Sequence, residues 1–310
     1  MNFFYLFLLS VITIISYKIF IPLFKKKLFA LPTSRGFHLK KKPTSGGIIF
    51  VSIFISYSLL NKVYLPLLSL PMSFVGLLDD KFNIQGIQKF LYQLITVSII
   101  TIYAVNSENS FLSQLVEGKP YIYLFLFFTG VAIINIVNFM DGIDGLISSN
   151  IFLVLLNYSL NNNLDLIAIP VVLLVFLYYN WHPAKIFMGD SGSTFLGLIL
   201  FYITFSKNDF NSSLILLSTA SPLLMDSCVC ILRRFNNNEN IFSPHKKHLY
   251  QRLHQKGMPH SKVSIIYASC TFILIIFSKT NNLIIMSSLT LLVFLVGIYL
   301  EKYWAIPFKS

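Results

Sequence analysis

Charge is what this sequence has least of. Asp, Glu, Lys and Arg make up 12% of its 310 residues, about half the share of a soluble globular domain, which excludes a water-soluble fold with an ordinary charged surface. Hydrophobic residues account for 55%, and the mean hydropathy is +0.71. Cysteine is scarce as well. Cys228, Cys230 and Cys270 all lie in apolar runs and show no ligand-like spacing to histidine, so a disulfide framework is excluded and the residues read as packing groups rather than a zinc site. Internal repeats, low-complexity linkers and matched pairs of interrupted apolar segments are missing, which weakens an inverted-repeat transporter.

What the chain has instead is long apolar runs separated by short polar loops. A helix needs about 20 residues to cross the hydrocarbon core, and only helices or closed barrels satisfy their backbone there. The pattern predicts an all-α, polytopic integral membrane protein with about 11 transmembrane helices, near 3–23, 47–61, 63–78, 87–105, 121–137, 146–160, 166–181, 193–206, 212–231, 263–278 and 283–300. The first run has no basic residue before it and Lys25-Lys26-Lys27 directly after it. That charge order is the reverse of a cleavable signal peptide and sets the N-terminus outside and the C-terminus in the cytoplasm.

On this topology 19 of the 24 Lys and Arg residues fall on the cytoplasmic side, among them those of the Arg35–Gly47 loop and Lys309. Only Lys62, Lys119, Lys207 and Lys279 fall outside. The net charge of +12 is thereby explained by retention of cations inside, with no nucleic-acid partner needed. The same parity puts Asp79, Asp80, Asp141, Asp144, Asp190, Asp226 and all six histidines on or near the cytoplasmic face. The outer loops keep Glu108, Glu117, Asp165 and Asp209. Ionisable groups at membrane depth are expensive and mark a site, so one face is chemically equipped and the other is plain.

Four stretches carry chemistry. Asp79-Asp80 closes the third run, where adjacent carboxylates repel and can share a cation. In Asn135-Ile-Val-Asn138-Phe-Met-Asp141-Gly142-Ile-Asp144-Gly145-Leu146, two carboxylates three apart share a helical face or turn, with two amides on a related stripe. Phe187-Met-Gly-Asp190-Ser-Gly-Ser193 opens the eighth run, where exposed N–H groups favour a phosphate and Asp190 is available to magnesium. The longest cytoplasmic segment runs from Arg233-Arg234 through Ser243-Pro244-His245-Lys-Lys-His248-Leu-Tyr250-Gln251-Arg252 and suits a polyanion. Most of its cations serve topology and anionic lipid, whereas His248 contributes little to topology and reads as functional.

In this order the motifs resemble the polyprenyl-phosphate N-acetylhexosamine-1-phosphate transferases, of the glycosyltransferase family 4 type. The match runs from Pro43-Thr44-Ser45-Gly46-Gly47 through Asp79-Asp80, Asn138–Leu146 and Phe187–Ser193 to the histidine loop, roughly residues 30–260. The resemblance implies a single transmembrane catalytic domain over 1–310, with its active site in cytoplasmic loops 25–47, 79–87, 138–146, 182–193 and 232–262. It implies transfer of a sugar-1-phosphate from a UDP-N-acetylhexosamine to undecaprenyl phosphate in the bacterial cytoplasmic membrane, with release of UMP and Mg²⁺ as cofactor, Mn²⁺ being the alternative metal; a homodimer is compatible with it. Asp79 and Asp80 match the catalytic acidic pair and Asp190 the metal ligand. Asn138, Asp141, Asp144, His248 and Lys89 match substrate-binding positions, Lys89 being followed by Gln93 as in the family.

One departure narrows the branch. The family's His-x-His-His pattern reads His248, Tyr250 and Gln251 here, so only its first histidine is retained. That form resembles the branch initiating O-antigen or capsule chains, often on 6-deoxy sugars such as N-acetylfucosamine or N-acetylquinovosamine, beside N-acetylglucosamine. A multi-span transporter for a phosphorylated or anionic solute is the alternative, and it predicts polar groups toward the midplane and both faces. The Asp-Gly-x-x-Ala-Arg pattern of CDP-alcohol phosphotransferases is absent at 141–146.

Overall fold

The computed structural model describes residues 3–31, 37–38, 40–63, 65–82, 84–106, 111–117, 119–241, 243 and 245–308. Arg35, Glu108, Pro244 and Lys309, which entered the charge and motif readings, lie outside the described residues. The described chain is all-α apart from a two-residue ladder, β1 (Phe29–Ala30) against β2 (Lys42–Pro43). Helix α1 (Phe3–Lys27) is followed by α2 (Gly47–Leu60), the short α3 (Leu65–Leu68), α4 (Leu70–Phe82), α5 (Gly86–Val105), the short α6 (Phe111–Val116) and α7 (Tyr121–Met140). Then come α8 (Leu146–Asn161), α9 (Ala168–Asn180), α10 (Asp190–Phe205), α11 (Phe210–Thr219), α12 (Ser221–Asn236), the short α13 (Leu249–Gln255), α14 (His260–Ser278) and α15 (Leu283–Trp304).

Every expected apolar segment is helical, but three are not single uninterrupted helices. The 63–78 segment divides at Ser69 into α3 and α4, and the 166–181 segment begins with a 3-10 turn at Leu164–Leu166. The 212–231 segment bends by 79° between α11 and α12. The cause of that bend is local. Pro222 sits in the first turn of α12, where it has no N–H to continue a ladder from α11. Among the described residues, five helices are long and apolar enough to cross a membrane, or six with the bent pair, against the eleven expected. The difference lies in length: α2, α8 and α10 have 14, 16 and 16 residues, short of the roughly 20 a lone spanning helix needs.

Helix α10 is the core of the bundle. Thirteen of its residues are buried, and it packs on α7, α4 and α2 with further contacts to α5 and α8. Small residues make such approaches possible when lipid offers no hydrophobic drive. A Cβ added to Gly47 of α2 would lie 2.2 Å from the Cα of Gly192, and one added to Gly197 would lie 2.7 Å from the Cα of Ile134. Packing by backbone contact holds the start of α10 against the end of α4 and the end of α7. Those three helix ends carry the acidic motifs.

Candidate active site

Two loops fix the floor of the site. The Pro43–Gly47 loop lies along residues 186–189: Phe187 N donates to Pro43 O at 2.9 Å, Gly46 N to Phe187 O at 2.9 Å and Gly47 N to Met188 O at 2.8 Å. Ser45 thereby meets α4, and its hydroxyl donates to Asp80 Oδ2 at 2.8 Å. The other Asp80 oxygen accepts the backbone N–H of Asp190 at 2.9 Å. Asp80 is thus held from both sides.

Lys89 joins the remaining carboxylates. Its ammonium is 2.7 Å from Asp79 Oδ2 and also bonds Asp190 Oδ2, while Asp79 Oδ1 accepts from Ile84 N at 2.9 Å. Asn138, on the last turns of α7, donates to the same Asp190 oxygen at 3.4 Å and is oriented by Ser193 Oγ, which donates to its Oδ1 at 2.7 Å. Asp79, Asp80, Lys89, Asn138 and Asp190 therefore form one constellation from α4, α5, α7 and α10. Asn135 is directed elsewhere, forming a reciprocal amide pair with Gln93 at 2.8 and 3.1 Å.

Helix α7 stops at Met140, so Asp141 and Asp144 lie in a turn. Burial, then the charges of Asp190, Asp80 and Asp144, push the Asp141 carboxyl up to about 8. Asp144 faces two histidines. Its Oδ2 lies 2.8 Å from His182 Nδ1 and accepts the Ala184 N–H at 3.0 Å, with His260 Nδ1 at 3.4 Å.

The histidine loop is enclosed. His248 is 2% exposed, with its ring 5.7 Å from that of Tyr250 and 4.9 Å from that of His245. Asp226 of α12 positions this loop by accepting from Leu249 N at 2.7 Å, Tyr250 N at 3.1 Å and Tyr267 Oη at 2.7 Å. Tyr250 in turn donates to Phe139 O at 3.0 Å, so the loop is latched to the end of α7. Cys230 is buried beside this loop, with its Sγ and one ligand atom each of His245 and His248 all within 4.8 Å of one another. The turn from α12 to α13 closes a gap that sequence spacing does not show.

Buried Arg234, 2% exposed, holds the outer part of this loop by donating to Ile241 O and Ser243 O, each at 3.2 Å. Its Nε is 3.1 Å from Glu239, which also meets Lys247 at 2.6 Å. The hydrogen bond from Lys247, with help from Arg234, lowers the Glu239 carboxyl below its ordinary value. A depressed carboxyl contributes stability above its unfolded pKa near 4.3 and loses it as pH falls further. Glu239→Gln is expected to lower the melting temperature in detergent by about 2 °C at pH 7, and the gap from the wild type should close toward pH 4. A gap of equal size at both pH values would contradict the assignment.

Ser45, Asn135, Gln93 and Tyr250 lay in stretches already singled out and Asp226 was placed on the cytoplasmic face, but their positioning contacts, Ser45 to Asp80, Asn135 to Gln93, and Asp226 and Tyr250 to the histidine loop and α7, were not visible in the motifs. The sequence model of the family described as glycosyl transferase family 4 matches residues 62–207, which include the whole carboxylate constellation. The chain is 31% identical over 293 residues to the probable undecaprenyl-phosphate N-acetylglucosaminyl 1-phosphate transferase of Bacillus subtilis, covering 84% of this chain and 80% of that protein. It is 26% identical over 289 residues to the decaprenyl-phosphate N-acetylglucosaminephosphotransferase of Mycobacterium leprae, covering 76% and 72%. It is 34% identical over 213 residues to the phospho-N-acetylmuramoyl-pentapeptide-transferase of Clostridium acetobutylicum, covering 58% and 67%.

Proposed function

The chain belongs to glycosyl transferase family 4, the polyprenyl-phosphate N-acetylhexosamine-1-phosphate transferases, and from that premise we propose that it passes a sugar-1-phosphate from a UDP-N-acetylhexosamine to undecaprenyl phosphate, releasing UMP. The observation that carries this reading is the meeting of three carboxylates in one place: Asp79 and Asp190 share Lys89, Asn138 donates to Asp190, and Asp80 accepts the Asp190 backbone N–H. The proposal sets the reaction at the cytoplasmic face of a bacterial inner membrane. The one-sided distribution of Lys and Arg supports that orientation, and the bacterial relatives support the location.

Both substrates carry phosphate, so they meet only where negative charge is compensated. The donor set fits a hard divalent cation: Asp79, Asp80, Asp141 and Asp190 offer oxygen alone, and Lys89 sets one ammonium against these four carboxyl groups. Asp190 would be the principal ligand, with Asp79 and Asp80 beside it. When bound, Mg²⁺ supplies the charge that neutralises the diphosphate and the departing UMP. Lys89 holds Asp79 and Asp190 at a fixed separation, and Ser193 turns the Asn138 amide toward Asp190. The lipid phosphate is already nucleophilic at neutral pH, its second pKa resembling the value near 6 of phosphate monoesters. Asp79 or Asp80 therefore needs to accept no more than a residual proton.

The named substrates of the relatives support an N-acetylhexosamine, N-acetylglucosamine first. The His248, Tyr250, Gln251 form of the last loop supports a 6-deoxy sugar and a role in starting O-antigen or capsule chains. Purified protein with undecaprenyl phosphate and UDP-linked N-acetylglucosamine, N-acetylfucosamine and N-acetylquinovosamine should release UMP with one of them, only when the lipid phosphate is present. No release with any sugar, together with flux of an anionic solute into liposomes, would replace this reading with the transporter.

A further inference from the structure

Beside the carboxylate cluster, Asp144, His182 and His260 each offer a ligand atom, all within 4.8 Å of one another. The surrounding hydrogen bonds decide what those atoms carry. Met258 O can only accept, so His254 Nδ1, 2.9 Å away, bears the proton. A neutral His254 then has a bare Nε2, and His260 Nε2, 3.3 Å from it, must be the donor. His260 Nδ1 is left with a lone pair, and the Asp144 backbone N–H approaching it at 3.4 Å agrees. That lone pair faces Asp144 Oδ2 at 3.4 Å, and the same oxygen has His182 Nδ1 at 2.8 Å.

His260 Nδ1 and Asp144 Oδ2 already accept hydrogen bonds, from the Asp144 N–H at 3.4 Å and the Ala184 N–H at 3.0 Å, and they lie close enough together for one cation to take both as ligands. The relay from His260 through His254 to Met258 O is also the arrangement that orients ligating histidines, whose second nitrogen donates to a further acceptor. The His182 side chain is 39% exposed, which leaves a path from water. We propose that Asp144, His182 and His260 form a site for a late first-row divalent cation such as Zn²⁺, separate from the all-oxygen cluster of Asp79, Asp80 and Asp190. Two nitrogens and one oxygen suit that class of ion, whereas carboxylates alone suit magnesium. Three protein ligands leave the fourth position to water.

The ligands come from three separate segments: the turn after α7, the loop before α10 and the first residue of α14. A bound ion therefore ties these segments together, and it stabilises the fold by mass action. This inference concerns binding and does not depend on the transferase reading. It is tested on the full chain in detergent, stripped of metal and titrated with Co²⁺ in excess Mg²⁺. The expected result is stoichiometric binding with the intense visible bands of a four-coordinate site. His182→Ala and His254→Ala should each weaken it about tenfold or more, with Cys230→Ser unchanged. Zn²⁺ should displace the Co²⁺ and raise the melting temperature of the wild type but not of His260→Ala. Exposed His182 can be replaced without disturbing packing, and the metal-free melting temperature of each variant checks folding. Failure to bind Co²⁺, equal affinity in the wild type and His182→Ala, or loss of binding on Cys230→Ser would each overturn the assignment.

Discussion

Asp190→Asn is expected to lower turnover about 10³-fold while leaving the protein folded. The residue opens α10, and its backbone N–H, which holds Asp80 Oδ1 at 2.9 Å, is untouched by the change. What is lost is the charge on one oxygen that both Lys89 and Asn138 approach. An asparagine at 190 presents either a neutral carbonyl to the ammonium or an NH2 group that repels it. Stability should fall by no more than about 1 kcal/mol, the worth of a carboxylate at a helix N-terminus. The test is exchange of labelled UMP with the UDP-sugar in the presence of lipid phosphate, as a function of Mg²⁺. The variant should need more Mg²⁺ as well as turn over more slowly, and full exchange at limiting Mg²⁺ would remove Asp190 from the metal site.

The acidic constellation was legible because each member sits in a motif at the end of an apolar run, and the charge asymmetry put those ends on one side. Helix ends that carry carboxylates beside small residues leave little choice about where they meet. The internal wiring was not legible in the same way. Lys89 read as a cation for substrate, yet it spends its charge on Asp79 and Asp190. That pairing depends on α5 packing beside α4 and α10, which no local pattern encodes. Asp141 and Asp144 read as sharing a helical face or turn; α7 ends at Met140, which makes it a turn, and the partners of Asp144, His182 and the Ala184 N–H, come from a distant loop that the motif does not show. His248 read as functional because histidine contributes little to topology, and its motif did not show the Asp226 anchor, 22 residues earlier in the chain, that holds the next two residues, Leu249 and Tyr250. The breaks at Ser69 and Ala220 escaped because hydropathy averages over them, although Pro222 was there to be seen.

Gly189→Ala is expected to remove activity about 100-fold or more, for a reason of shape rather than charge. The residue has φ +73 and ψ 170, a region that costs a side chain on the order of 1–3 kcal/mol. Its added Cβ would lie 2.4 Å from Asp80 Oδ2, 2.8 Å from Ser45 N and 2.9 Å from Ser45 Cα. The Ser45 backbone cannot withdraw easily, since Gly46 and Gly47 are bonded to Phe187 O and Met188 O. Asp80 must therefore turn away, giving up both the Ser45 hydroxyl and the Asp190 N–H. Gly257→Ala separates the two costs, because Gly257 has φ +108 with nothing within 4 Å of its added Cβ. Both variants should lose stability by comparable backbone strain, measured by thermal unfolding in detergent, and only Gly189→Ala should lose transferase turnover. Equal losses of activity in the two would show that strain alone accounts for the effect, and wild-type turnover in Gly189→Ala would show that Asp80 does not need the position in which Ser45 and α10 hold it.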